Sequence, residues 1–298
     1  MQAKENLYSK YKYIWEQLDN TMDSLFSYIQ GYPLIEMDSY GNVTVANNDH
    51  PETCPAFCCH LDTVHQQEPE LELVKDDVLL SMDGGGVGGD DKCGIIACLE
   101  LLERIPCKCI FFRDEESGCK GSNKYDAKSL KDNLFCIEID RKGSSDLIFS
   151  ACRGQMCSEE FQERVKKAFP HGTPERGSLT DVCVLGEAEI NMMNLSSGYY
   201  RPHTNKEYVV LSELALNIDC LVKLVDDLTN NPLENNKYKR SEVSYAYNQK
   251  YASGYRAFEE AARAANARNN GALFPGLEQE DDPGAEDFEI AQYGYRKK

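Results

Sequence analysis

Cys107-Lys108-Cys109-Ile110-Phe111-Phe112-Arg113-Asp114-Glu115-Glu116 carries a short, mostly apolar segment directly into a cluster of acids. Residues 107–112 have the length and character of a buried strand. Adjacent glutamates at the end of such a strand crowd negative charge where water is scarce, which is unfavourable unless cations or protons relieve it. The pattern recurs on either side. Upstream, the apolar run Ala56 to Cys59 leads into His60-Leu61-Asp62, and downstream the segment from Leu134 ends on Asp140. Between the first two, Gly84-Gly85-Gly86-Val87-Gly88-Gly89-Asp90-Asp91 opens a helix with Ile95, Cys98, Leu99 and Leu102 inside.

Farther out, strand and helix signals keep alternating. Leu34 to Met37 and Val43 to Ala46 flank a turn, and Leu71 to Val74 and Val78 to Met82 form a second hairpin. Strands are predicted at Leu147 to Ser150, Val182 to Leu185 and Ile190 to Leu195. Helical spacing of apolar residues predicts one amphipathic helix from Leu7 to Ile29, another through Phe161, Val165 and Phe169, and a long last helix through Leu214 to Leu228 with Ser212 as its N-cap. Such alternation predicts an α/β layered fold. Apolar periodicity ends at Leu228, so residues 1–231 are read as the folded domain. Residues 232–298 are read as a polar, tyrosine-rich and then acidic extension, partly disordered because it offers too little apolar surface to offset ordering entropy.

Composition narrows the function. Lys plus Arg total 32 against 50 for Asp plus Glu, a net charge of −18 that repels nucleic acid and anionic membranes. No apolar run approaches the about 18 residues of a spanning helix, and the opening MQAKENLYSK lacks the apolar core of a signal peptide. The expectation is a soluble cytoplasmic protein whose thirteen cysteines are reduced, small core residues. There is no HExxH helix, GxSxG elbow or P-loop. Gly84 to Gly89 satisfies GxGxxG, but Asp90-Asp91 sets two carboxylates where a dinucleotide pyrophosphate should meet the helix, which argues against that use.

The stronger pattern is an ordered set: His60 and Asp62, Asp90, Glu115 and Glu116, Asp140, His203. Each lies at a predicted strand end or in the following loop, where sites form in open α/β sheets. Histidine nitrogen and carboxylate oxygen suit zinc, and two nearby divalent ions need a shared carboxylate, for which Asp90 is the natural bridge. The i, i+2 spacing lets Asp62 hydrogen-bond the second ring nitrogen of His60, fixing its tautomer.

These segments resemble the co-catalytic dinuclear zinc exopeptidases, a group that includes peptidase T, the glutamate carboxypeptidases and the leucyl aminopeptidases. CHLDTVH is similar to the first metal motif, GGDDKCGI to the bridging motif, RDEESGCKGS to Glu-Glu-x-Gly-x-x-Gly-Ser, IEIDRKG to the strand ending in the fourth ligand, and GYYRPHTNKEYV to the last. The resemblance implies two zinc ions in a mixed sheet between helices. His60 and Asp140 would hold one ion and Glu116 and His203 the other, with Asp90 bridging, Asp62 supporting His60 and Glu115 as general base. It also implies a cis Asp90–Asp91 peptide. Peptidase T carries a lid domain between the fourth and fifth ligands, whereas only 62 residues separate Asp140 from His203 here, so a lidless variant is expected.

Without a lid, substrate groups must come from loops, the extension or a neighbouring subunit, which leaves room for a homo-oligomer. Arg141, Tyr199, Tyr200 and Arg201 lie beside ligands and are candidates to hold a substrate carboxylate or side chain. The expected activity is hydrolysis of an amide at the end of a short peptide. Alternatives are deacylation of an N-acyl amino acid or other small acylated amine at the same site, and a non-catalytic, metal-stabilised scaffold that binds partners through its C-terminal segment.

Overall fold

Strand residues of both parities are buried, so the sheet is covered on both faces. Ala56, Cys58, Ile110, Phe112 and Cys136 belong to one apolar cluster, and Phe57, Cys59, Cys109, Phe111 and Ile137 to another. That split is the period-2 alternation of pleated strands with no solvent side.

The structure, a computed structural model, describes residues 6–17, 22–48, 50–151 and 154–240. In chain order the elements are α1 (Leu7–Lys10), α2 (Lys12–Glu16), α3 (Met22–Ile29), β1 (Leu34–Met37), β2 (Val43–Ala46), β3 (Ala56–His60), β4 (Leu71–Val74), β5 (Val78–Ser81) and α4 (Gly89–Arg104). There follow β6 (Lys108–Phe112), β7 (Cys136–Arg141), β8 (Asp146–Ala151), β9 (Gly154–Gln155), α5 (Glu159–Ala168), β10 (Thr173–Arg176), α6 (Asp181–Val184), β11 (Met192–Ser196), β12 (Tyr199–Tyr200), β13 (Tyr208–Val210) and α7 (Leu211–Asn230). The main sheet has the order β1-β2-β6-β3-β7-β11-β8-β10, with β9 paired to β8. Its centre, β6-β3-β7-β11, is parallel, while β1 with β2, β2 with β6 and β11 with β8 are antiparallel. The sheet is therefore mixed, as expected. A second, antiparallel sheet runs β12-β13-β5-β4. Helix α4 packs on β3, β7 and α7, and α5 packs on α7. The opposite face is covered by α6 and by residues around Leu130 and Ala188.

The 62 residues between Asp140 and His203 supply β8 to β12, α5 and α6, and none of those described forms a separate lid. Among the described residues no helix is long and apolar enough to cross a membrane.

Three local expectations fail for identifiable reasons. The single helix from Leu7 to Ile29 is broken: Tyr11 leaves helical geometry at φ −112°, ψ 28°, and Gln17 is extended. The carbonyl of Trp15, which a continuing helix would use, instead accepts from the buried Lys92 ammonium at 2.8 Å. The apolar run Val182 to Leu185 is not a strand: Val182 to Val184 lie in α6, whose first amide groups bind the buried Glu138 carboxylate, and Leu185 is its C-cap. Ser212 does not cap α7, which begins at Leu211; Asp77 does so from another element, accepting from Ser212 N at 2.8 Å and Ser212 Oγ at 3.0 Å.

Beyond α7 the chain stays on this unit as far as Arg240. Leu233 is buried, Ile190 and Lys237 form a β-bridge, and the Arg240 guanidinium donates to the carbonyls of Val182 and Cys183 at 2.7 Å each. The tyrosine-rich and acidic extension from residue 241 onward lies outside the described residues.

Candidate active site

The parallel strands β3, β6 and β7 end together, and the side chains that leave their carboxyl ends meet there. His60 is the last residue of β3, Glu115 and Glu116 follow β6, and Asp140 lies near the end of β7. Asp90 enters from the first turn of α4, and His203 from the turn between β12 and β13 at φ 62°. The Asp90–Asp91 peptide is cis.

The five candidate ligands converge in two groups that share one carboxylate. His60 Nε2 lies 3.0 Å from Asp90 Oδ1 and 3.8 Å from Asp140 Oδ2, while His203 Nε2 lies 3.2 Å from Asp90 Oδ2 and 3.0 Å from Glu116 Oε1. Each oxygen of Asp90 thus faces a different histidine. Glu116 Oε1 is buried and makes no hydrogen bond despite its closeness to His203. An acceptor left unpartnered in a buried cluster of donor atoms is what a cation-binding site leaves when the cation is not counted. The donor types suit a divalent metal: His60 with Asp90 and Glu116, and His60 with Asp91 and Asp140, each offer ligand atoms within 4.8 Å of one another. His60 is 1% exposed at its side chain and His203 is 52% exposed, so the site opens on the His203 side.

Neighbouring groups surround these candidate ligands. Asp62 Oδ1 lies 3.4 Å from His60 Nδ1, which makes no hydrogen bond, and the two Asp62 oxygens accept the backbone amides of Glu115 at 3.0 Å and Glu116 at 3.1 Å. One carboxylate therefore links the His60 ring to the Glu115-Glu116 turn. Asp91 is within reach of His60 and Asp140, but its oxygens accept from His60 N at 3.1 Å and Gly94 N at 2.9 Å, which leaves Asp90 as the bridging candidate. Asn194 brackets Asp140, accepting from its amide at 3.0 Å and donating to its carbonyl at 2.8 Å. Deeper in, Glu138 accepts from Thr180 Oγ1 at 2.6 Å and from the amides of Asp181 and Val182.

The electrostatics reflect the excess of carboxylates. Burial disfavours the His60 imidazolium, but Asp140, Asp62 and Asp90 outweigh it and hold the pKa well above the ordinary value. The adjacent carboxylates of Asp90 and Glu116 raise His203 to about 10. Burial and the charges of Asp90 and Asp91 push Asp140 well up. Burial, reinforced by Glu116 and opposed by His60, raises Glu115 to about 8. The cluster thus demands positive charge, as protons or as cations.

The substrate candidates are placed differently from the ligands. Tyr199 is buried and its hydroxyl donates to Asp140 Oδ1 at 3.0 Å, which sets it behind a ligand. Arg141 Nε pairs with Asp146 at 2.9 Å. Tyr200 donates to Glu213 at 2.6 Å and stacks on Tyr208. Arg201 is half-buried at φ 55°, two residues before His203. Cys58, Cys59 and Cys93 are buried packing residues.

Sequence reasoning gave no role to His65 or Glu207, which the structure joins at 2.8 Å beside the glycine loop. The available signal was the glutamate-aromatic pair Glu207-Tyr208 after His203.

No protein-family model and no curated protein matches the sequence. Solved structures do match the fold. Aminopeptidase PepT from Bacillus cereus aligns with a TM-score of 0.63 at 14% identity, over 75% of this chain and 98% of that chain. A tripeptidase from Staphylococcus aureus aligns at 0.64 and 13% identity, over 76% of this chain and 98% of that chain. This chain has the fold of those peptidases. The Pyrococcus horikoshii TET1 peptidase, which can assemble into a tetrahedron or a large octahedral shell, shares the fold at TM-score 0.55 and 13% identity, over 74% of this chain and 98% of that chain.

Proposed function

We propose that the chain is a metal-dependent hydrolase that cleaves the amide bond at one end of a short peptide. The observation that carries this reading is the shared carboxylate of Asp90, with one oxygen 3.0 Å from His60, whose Nε2 also nears Asp140, and the other 3.2 Å from His203, whose Nε2 also nears Glu116. In this reading His60 and Asp140 would hold one divalent cation, Glu116 and His203 would hold the other, Asp90 would be shared between them, and zinc suits the donors. Bound there, the pair would supply Lewis acidity for an amide carbonyl and lower the pKa of water toward neutrality.

The protein's own part in the reaction falls to Glu115. It follows β6 beside Glu116, is half-buried, and has a pKa raised to about 8 by burial. A carboxylate so tuned takes a proton from the attacking water and returns it to the leaving amine nitrogen. Asp62 orients both His60 and the turn that carries Glu115, and Tyr199 and Asn194 fix Asp140. The half-exposed His203 side is the side from which a substrate enters, and Arg201 sits there. Exopeptidase action is favoured over deacylation because the solved structures that share this fold include an aminopeptidase and a tripeptidase. One of them also assembles with copies of itself, which supports a homo-oligomer.

The test is metal analysis of the purified protein followed by assay against aminoacyl and N-acyl chromogenic amides. Binding of about two divalent ions with turnover of an aminoacyl amide supports the proposal. Turnover of N-acyl amides alone supports the deacylase, and metal binding without turnover of either class supports the scaffold.

A further inference from the structure

The glycine loop 84–89 has the form of an anion-binding turn at the start of a helix, yet the dinucleotide reading gave it no anion that suits Asp90-Asp91. The structure supplies one from within the chain. The fully buried side chain of Glu207 accepts from Val87 N at 3.0 Å and Gly88 N at 2.6 Å through Oε2, and from Asp90 N at 3.1 Å through Oε1. These are amides that a bound phosphate would have used. The fourth contact is His65 Nε2, 2.8 Å from Oε2.

Two glycines make the approach possible. A Cβ on Gly86, at φ 80°, would come within 2.0 Å of the His65 ring, and one on Gly89 would meet Tyr199 and Val209 at 2.7 Å. Side chains at these positions would push the loop off Glu207 and its neighbours.

Three segments that carry candidate ligands therefore end on one carboxylate. Glu207 itself follows His203 by four residues, the bonded amides precede and include Asp90, and His65 follows His60 by five. We infer that Glu207 is a positioning residue that ties these three segments together before any cation binds, so that His60, Asp90 and His203 are presented in place. The inference rests on the two-cation reading above for what the ligands hold, but the Glu207 hydrogen bonds themselves involve no candidate ligand side chain.

The experiment compares the full-length wild type with Glu207→Gln and with Asn133→Ala. The glutamine keeps size and one acceptor oxygen but turns an amide NH2 toward donors. Asn133 is a buried control at the opposite end of the strands, donating to the carbonyls of Pro51 and Cys54 at 2.8 Å each. Hydrogen exchange is followed in the metal-free proteins, and Co2+ is then titrated with its absorption bands recorded.

In Glu207→Gln the amides of Val87, Gly88 and Asp90 should exchange about tenfold to a hundredfold faster, the range for losing a hydrogen bond to a charged acceptor. Protection should also fall in 201–206. Co2+ affinity should drop about 10- to 100-fold, as for other groups that orient metal ligands, with altered bands. Asn133→Ala should melt earlier yet keep loop protection, affinity and bands. Unchanged exchange in Glu207→Gln, or faster exchange with wild-type Co2+ affinity and spectrum, or the same Co2+ defect in Asn133→Ala, overturns the inference. A wild type that binds no Co2+ refutes the proposed function and the cation half of this inference, while the exchange result still decides whether Glu207 tethers the loops.

Discussion

Replacing Glu115 with Gln separates chemistry from coordination, because the next residue, Glu116, is a proposed ligand and Glu115 is not. The amide keeps the size of the side chain and an oxygen for the 3.5 Å contact with Cys119 Sγ, and the backbone amide of residue 115 stays on Asp62. What disappears is a proton acceptor whose pKa burial has raised to about 8. General-base catalysis contributes about two to four orders of magnitude. The expected loss in kcat is therefore about 10²- to 10⁴-fold, or roughly 2.7 to 5.4 kcal/mol at about 1.36 kcal/mol per decade. Metal content should stay at the wild-type level. Glu116→Gln should instead weaken metal occupancy, because Glu116 Oε1 is the unpartnered acceptor beside His203. Metal analysis and steady-state turnover on the best aminoacyl amide, run on both variants, decide the matter. Near-normal turnover in Glu115→Gln, or loss of metal equal to that of Glu116→Gln, would refute the division of roles.

His60→Ala and His203→Ala should each reduce bound metal and lower the Tm of the metal-loaded protein, since removing a ligand leaves carboxylates facing one another; unchanged stoichiometry by elemental analysis in both would sink the ligand assignment. The metal-free protein should lose stability as pH rises. His203 at about 10, His60 well above its ordinary value and Glu115 at about 8 all bind protons more tightly folded than unfolded. Their stabilisation is complete below the unfolded pKa values, about 4.3 for Glu and 6.5 for His, and is lost as pH climbs through the folded ones. Thermal melts in chelator from pH 6 to 10 should show a falling Tm, and a flat or rising one contradicts the charge reading. Since both imidazoles must be neutral to ligate, metal binding at pH 7 should release protons, which calorimetry in buffers of different ionisation enthalpy measures. Truncation after Ser241 should preserve the Tm of this unit, whereas truncation after Asn231 should lower stability by about 3 kcal/mol, from the lost burial of Leu233 and the Arg240 hydrogen bonds.

The central strands were legible because burial on both faces leaves continuous apolar runs, and the candidate site residues were legible because these runs stop on an acid or a histidine. His60, Asp90, Glu116, Asp140 and His203 stood out as a set only through that placement, since any one acid among 50 carries no signal. Periodicity misled where tertiary partners decide the local structure. Lys92 takes the carbonyl that would have extended α2, and Glu138 takes the amides that turn 181–184 into a helix. Asp77 caps α7 from 135 residues away, a distance at which no local pattern speaks. Glu207 escaped notice for the same reason: its partners lie 117 to 142 positions earlier in the chain. The role of Tyr199 depended on which face of β12 met Asp140, and a two-residue strand gives no alternation from which to read a face.

The thiols of the core make the protein a reporter of its own opening. The twelve cysteines among the described residues are all buried, and they are spread over β3, β6, β7, α4, α6, α7 and the connecting loops. A thiol-reactive dye can reach them only when the element that shelters each one opens, so the time course of labelling, resolved by peptide, ranks the elements by their opening free energy. Cys93, in the first turn of α4 three residues after Asp90, would record how firmly the start of that helix is held, and Cys119 would do the same for the turn that carries Glu115. Metal, substrate or a tethering mutation would then be read as a change in the labelling rate of two sulfur atoms built into the chain.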